Sequence, residues 1–137
     1  MFMRMIYDER LSQAAYLIGC QGAGEAIIID PQRDIDQYID LAARHDLRIV
    51  AAAETHIHAD FVSGTREFAH RTGATAYLSA EGGPDWSYRW SDDSGITCRG
   101  LHDGDTFSIG SIAFQAIHTP GHTPEHLCYT VTDTAAR

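Results

Sequence analysis

Five of the eight histidines in this 137-residue chain fall in two short windows, and their spacing suits the binding of a metal ion. The first window is Thr55-His56-Ile57-His58-Ala59-Asp60. The second is His118-Thr119-Pro120-Gly121-His122-Thr123-Pro124-Glu125-His126. A metal needs neutral imidazoles that converge from different chain segments, and loops at strand ends hold such groups well. In an extended H-x-H the two rings point to the same side. His56 and His58 can then both approach one ion, or one can ligate while the other hydrogen-bonds nearby. Asp60 adds a hard oxygen, as a ligand or as a group that orients one. In the second window Pro120 and Pro124 stiffen the loop and Gly121 permits a positive φ, which presents His122 at a tight turn between two strands. His118 and His126 sit where those strands end and begin. They read as structural or ligand-supporting histidines rather than ligands.

Other chemistry-bearing residues have plainer readings. Asp103-Gly104-Asp105 lacks the remaining ligands of a calcium loop and reads as a hairpin turn. Arg66 and Arg71 read as a solvated helix face, and Trp86, Tyr88 and Trp90 as loop packing or a substrate entrance. Thr55 and Ser63 read as loop-capping groups without chemistry of their own. Cys20, Cys98 and Cys128 are far apart and show no C-x-x-C spacing, so reduced cysteines packed as small hydrophobes are expected, as in a cytoplasmic protein. The N-terminus lacks the apolar stretch of a signal peptide, and no apolar run approaches the roughly 18 residues of a membrane span. A net charge of −9 argues against nucleic acid as the main partner and gives no reason to expect a membrane surface. With 44% hydrophobic residues the chain is globular in composition, and its length suits one domain.

The elements that must position these windows follow from periodicity. Residues 14–20 read as a strand, 21–24 as a turn and 25–29 as a second strand, stopped by Asp30-Pro31. The continuous apolar run of 25–29 implies burial on both faces. Residues 34–45 carry 3-4 spacing and read as an amphipathic helix with Asp34 or Asp36 near its start. Strand 48–53 then leads directly into the first histidine window. A short helix over 63–72, with Ser63 as N-cap and Gly73 as its stop, precedes strand 74–79. Residues 81–95 read as an irregular excursion. Short strands follow at 96–101, 106–109, 112–117 and 127–132. The class is α/β or α+β.

These motifs together resemble the metallo-β-lactamase superfamily, through His56-x-His58-x-Asp60 after one buried strand and Thr119-Pro120-Gly121-His122-Thr123-Pro124 after a later one. The persulfide dioxygenase branch, which includes bacterial members fused to rhodanese domains, is similar over further segments. These are Ala15 to Ile18, Ile29-Asp30-Pro31, Thr55 to Gly64, Tyr77-Leu78-Ser79, Asp103 to Asp105 and His118 to His126. The resemblance implies an αββα sandwich, of which residues 1–137 form mainly the N-terminal half, expected to be incomplete at the C-terminus. It implies metal ligation by His56 and His122, with His58 as a third candidate ligand and Asp60 close by, ligating or supporting. The superfamily pattern is H-x-H-x-D-H, and its last position here is Phe61. A phenyl ring cannot bind metal, so a single-metal site is expected, holding Fe2+ as in the dioxygenases, or alternatively Zn2+. The implied reaction is oxidation of glutathione persulfide, or a similar small persulfide, to sulfite, with a glyoxalase II-type thioester hydrolase as rival and a non-catalytic interaction module as a third reading. A dimer, or a fused or associated rhodanese domain, is the implied partner. The family's carboxylate ligand lies on a Gly-Asp segment beyond the strand after the His122 loop; Asp133 lacks that context and is not assigned. A half-sandwich would expose an apolar sheet face.

Overall fold

The fold is given by a computed structural model that describes residues 1–135. Its larger sheet has the order β1-β2-β3-β4-β5-β6, formed by Phe2–Asp8, Gln13–Cys20, Glu25–Ile29, Arg48–Ala53, Thr75–Ser79 and Cys98–Leu101. β1, β2 and β3 are antiparallel neighbours. β3, β4, β5 and β6 run parallel, so each link between them must cross over a face of the sheet. Helix α1, Asp36–Ala43, makes the first crossing and α2, Thr65–Thr72, the second. The third crossing is the 81–95 excursion, with a single 3-10 turn at Arg89–Asp92. A second, antiparallel sheet has the order β7-β8-β9, from Thr106–Ile109, Ile112–His118 and Leu127–Asp133.

The side-chain alternation of β3 shows why its apolar run is continuous. Ala26 and Ile28 pack with Tyr38, Ala42 and Phe68 of the helices, whereas Ile27 and Ile29 face the second sheet with Ile112, Phe114 and Leu127. The layers are therefore helices, mixed sheet and antiparallel sheet. Between the sheets Tyr77, Phe107 and Phe114 stack in succession, with ring centroids 3.9 and 5.0 Å apart.

The sequence reading needs correcting at three places. β1 was not anticipated; it is an edge strand that pairs with β2 along its whole length. Helix α2 begins one residue later than expected, with Gly64 at the N-cap, and Ser63 Oγ accepts the Thr65 N–H from outside it. Gly64 occupies that place because a Cβ there would lie 2.2 Å from the Gln32 carbonyl oxygen. The Asp103–Asp105 turn is no hairpin: β6 belongs to the first sheet and β7 to the second, so the turn carries the chain from one layer to the other. The apolar sheet face expected of a half-sandwich is present on β1, where Met3, Met5 and Tyr7 share one face and are each more than half exposed. The outward face of the second sheet is largely polar, with Thr106, Ser108, Gln115, Thr130 and Thr132 exposed, although Ile117 is apolar there. Among the described residues no helix is long and apolar enough to cross a membrane.

Phe114 is 1% exposed at the end of the aromatic stack. Replacing it with alanine leaves a cavity between the sheets and is expected to destabilise the fold by about 3–5 kcal/mol. Thr130→Ala, on the outward face, is expected to change stability by less than about 0.5 kcal/mol. Urea unfolding followed by circular dichroism checks both.

Candidate metal centre

The first histidine window is wired to the end of the neighbouring strand. β3 and β4 pair in register up to Ile29 and Ala53, and the Asp30 N–H then donates to the Ala53 carbonyl. Asp30 has φ +51°, a left-handed conformation that aspartate tolerates better than most residues. Its carbonyl is held by Gln13 Nε2 at 2.6 Å. So turned, its carboxylate reaches the loop leaving β4: Oδ1 accepts the Thr55 N–H at 2.7 Å, and Oδ2 accepts the Thr55 hydroxyl at 2.7 Å. Oδ1 also lies 3.0 Å from His58 Nε2.

Thr55 passes this contact on. Its Oγ1 lies 2.9 Å from His56 Nδ1, and with its own hydrogen committed to Asp30 it accepts from that nitrogen. The Nδ1–H tautomer leaves His56 Nε2 as the lone-pair nitrogen. His58 is held from behind in the same way, because its Nε2 faces both Asp30 and Glu54 Oε2, the latter at 3.2 Å. That second approach is off the hydrogen-bonding direction, so Glu54 Oε2 has no hydrogen-bond partner. The other Glu54 oxygen accepts the Ser63 hydroxyl. Burial raises the Glu54 carboxyl above the usual carboxylate range. For His58, burial alone would lower the imidazole, but the hydrogen bond to Asp30 and the nearby carboxyl groups of Asp30 and Glu54 outweigh it and push the group up to about 10. Burial, followed by the neighbouring imidazole of His58, lowers His56 and so favours the neutral ring that a metal requires.

The second window reaches the first because β9 docks on it. The Leu127 N–H donates to the Thr55 carbonyl at 2.7 Å, and the Tyr129 hydroxyl donates to the Glu54 carbonyl at 2.8 Å. The His56 ring consequently lies 4.1 Å from His58, 4.7 Å from His122 and 5.1 Å from His126, centroid to centroid. His126 is stacked on His56 and holds Thr119 Oγ1 through Nδ1 at 3.0 Å. His118 turns away, its Nε2 donating to the Pro124 carbonyl at 2.7 Å. Its structural reading stands, while His126 joins the cluster.

The donor chemistry fits a metal ion. Among the described residues, His56 Nε2, His58 Nδ1, His126 Nε2 and both nitrogens of His122 make no hydrogen bond to protein. Three of these rings have the opposite nitrogen held by an oxygen, the arrangement that orients metal-ligating histidines. Asp30, Glu54 and His58 also bring one donor atom each within 4.8 Å of one another. In that trio the histidine presents its already engaged Nε2, so the carboxylates are better described as supports for His58 than as ligands beside it. Asp60 is peripheral: its side chain is 68% exposed and stands 3.9 Å from His58 Nδ1. Asp133 binds the N-terminal ammonium, six residues along β9 from Leu127 and so about 20 Å from the cluster. Arg66 and Arg71 are taken up by Asp93 and Asp36. Two clefts of about 470 and 410 Å3 touch none of these histidines. A smaller apolar groove of about 280 Å3 opens beside Thr55 and His126, walled by Tyr16, Ile29, Leu127 and Tyr129.

A histidine-bearing loop at the end of a parallel strand, completed by a second one from the other sheet, defines a candidate metal centre on a two-sheet α/β scaffold. The chain belongs to the metallo-beta-lactamase superfamily, whose family model matches residues 8–134. A solved metallo-beta-lactamase from Staphylococcus aureus superposes with a TM-score of 0.91 and 45% identity, over 97% of this chain and 39% of that one. The mitochondrial persulfide dioxygenase ETHE1 of Bos taurus is 27% identical, over 96% of this chain and 48% of its own. The hydroxyacylglutathione hydrolase of Nitrosococcus oceani is 36% identical, over 82% of this chain and 40% of its own. The chain spans about half the length, or less, of the curated relatives it matches.

Sequence reasoning passed over Asp30, Glu54 and the Thr55 hydroxyl. Replacing Thr55 with valine keeps its shape and cuts the link between Asp30 and His56. Metal affinity is expected to fall by about 10- to 100-fold, as for other groups that orient ligands, with His118→Ala near wild type. Chelator competition measures both.

Proposed function

We propose that this chain supplies the histidine ligands of a single-metal enzyme that oxidises the outer sulfur of a small persulfide, such as glutathione persulfide, to sulfite. The observation that carries the single-metal reading is Phe61. Its ring packs on His58, with centroids 4.3 Å apart, at the loop position where the superfamily pattern has its last histidine. An apolar ring there, beside a solvent-facing Asp60, leaves a second ion without an imidazole. The similarity to persulfide dioxygenase ETHE1 supports the substrate class.

In this reading His56 and His122 bind the ion, and His58 contributes through Nδ1. Bound Fe2+ would supply redox chemistry and open positions for substrate and oxygen. The chain's own residues do the rest. Asp30 and Thr55 keep His56 in the tautomer that points Nε2 at the site, and Asp30 holds His58 by its far nitrogen. The apolar groove beside Thr55 and His126 accepts the carbon-sulfur part of the substrate and keeps water from it. The overall change balances as one persulfide, one dioxygen and one water giving the thiol, sulfite and two protons.

A thioester hydrolase of the hydroxyacylglutathione type is the second reading, favoured by the higher identity to that relative, 36% against 27%. Metal analysis of the protein as the gene encodes it, paired with two assays, separates them. Stoichiometric iron with oxygen uptake on glutathione persulfide is expected. Bound zinc with thioester cleavage and no oxygen uptake would reject the dioxygenase reading. His56→Ala and His122→Ala are each expected to leave the protein folded with well under one equivalent of metal.

A further inference from the structure

The two histidine windows are joined by one side chain that belongs to neither set of candidate ligands. Glu125 lies in the second window and is 0% exposed. Its Oε1 accepts the N–H of Ile57 at 2.6 Å, which is the peptide between His56 and His58. Its other oxygen, Oε2, has no hydrogen-bond partner among the described residues. Burying a carboxylate with one oxygen unpaired is costly, so packing alone gives no reason for this residue.

The burial is also provided for by the chain around it. Gly82, at the start of the 81–95 excursion, lies against Glu125 so closely that a Cβ there would come 2.8 Å from Glu125 Cβ and 2.4 Å from Trp86 Cβ. The excursion therefore closes over the carboxylate. Tyr88, from the same excursion, buries a hydroxyl that also lacks a partner. Burial, and then the fields of Glu54 and Glu125, hold that phenol well above its ordinary range, so it stays protonated.

We propose that Glu125 is a positioning residue: by holding the Ile57 amide it fixes the backbone between His56 and His58 relative to the loop that carries His122 and His126, and so sets the geometry in which the two windows meet one ion. This rests on the metal reading above. The acceptor oxygen does the work, and Glu125→Gln retains it in the same volume. Glu125→Asp keeps the charge but is one methylene too short to reach Ile57.

The test uses the full chain with amide hydrogen exchange at Ile57 in the metal-free protein, and Co2+ binding followed by chelator competition and visible absorption. Glu125→Gln should keep Ile57 protected and bind Co2+ within about threefold of wild type. Glu125→Asp and Glu125→Ala should lose that protection, weaken Co2+ by about tenfold or more and shift the absorption bands, in the range seen for groups that orient metal ligands. Should the alanine variant fail to fold, the aspartate variant carries the comparison. Unchanged Ile57 exchange and Co2+ binding in a folded Glu125→Asp or Glu125→Ala protein overturns the proposal. So does a Glu125→Gln protein as impaired as the alanine variant, because the charge would then matter and the acceptor would not. A wild-type chain that binds no Co2+ defeats the metal reading and with it this role for Glu125, whatever the exchange at Ile57.

Discussion

The carboxylate of Asp30 is the contact on which the rest of the site depends. It accepts the amide and the hydroxyl of Thr55 and lies at hydrogen-bond distance from the far nitrogen of His58. Adjacent strands in a sheet are about 4.8 Å apart, so a short side chain at the end of one can reach the loop leaving the next. Two conditions make this possible here. β3 and β4 must be parallel, which brings their C-terminal ends together, and residue 30 must turn out of the strand direction. The left-handed φ of Asp30 and the Gln13 contact to its carbonyl meet the second condition. Hydrogen bonds to a charged acceptor are worth about 1.5–3 kcal/mol each, enough to order a loop that has little apolar surface to bury.

The second constraint is the docking of one sheet on the other. The first window is local to one crossover, but His122 and His126 come from a hairpin loop nearly seventy residues later. They arrive because Leu127 and Tyr129, at the start of β9, hydrogen-bond the carbonyls of Thr55 and Glu54. The aromatic stack of Tyr77, Phe107 and Phe114 lies between the same two sheets. Packing in the core and the meeting of the histidines are in this sense one event. A shift between the sheets would move the rings relative to each other before it broke either hairpin.

Much of this was legible in the sequence, and the parts that were not share a cause. The apolar run of β3, the periodicity of α1 and α2 and the left-handed stop at Gly73 are local signals, and each appears within a residue or two of its expected place. The two windows were legible because metal-binding residue types are rare and closely spaced there. Asp30 was read as a strand stop and as part of a segment shared with the family, but was given no role at the site, since Asp-Pro ends strands whether or not the aspartate does anything more. Its partner is 25 residues away, and only the pairing of β3 with β4 brings them together. Glu125, between a proline and a histidine, has the signature of an exposed loop acid, yet it is fully buried, with Gly82 of a distant segment lying close against it. β1 was missed because Arg4 and the exposed Met3 and Met5 hide its alternation, and pairing with β2 defines it.

The wiring is lopsided, and the lopsidedness bears on the chemistry. On the sheet side of the first window, Asp30, Thr55, Glu54 and Glu125 engage the Thr55 amide and hydroxyl, His56 Nδ1, the Ile57 amide and His58 Nε2. On the solvent side Asp60 points outward and Phe61 lays a phenyl ring on His58. A site that must hold two ions needs oriented donors on both sides of the loop, because an unheld ligand loses side-chain entropy each time it binds. A site for one ion needs only the inner side, and can leave the outer side to solvent and substrate. The inner side also gathers Asp30 and Glu54 around His58 in a region that burial makes poorly screening, so the field there favours a cation over any neutral occupant. Imidazoles held by their far nitrogens, acids behind them and an apolar ring at the mouth are what the proposed single-metal reading requires: one cation with one open, partly apolar side.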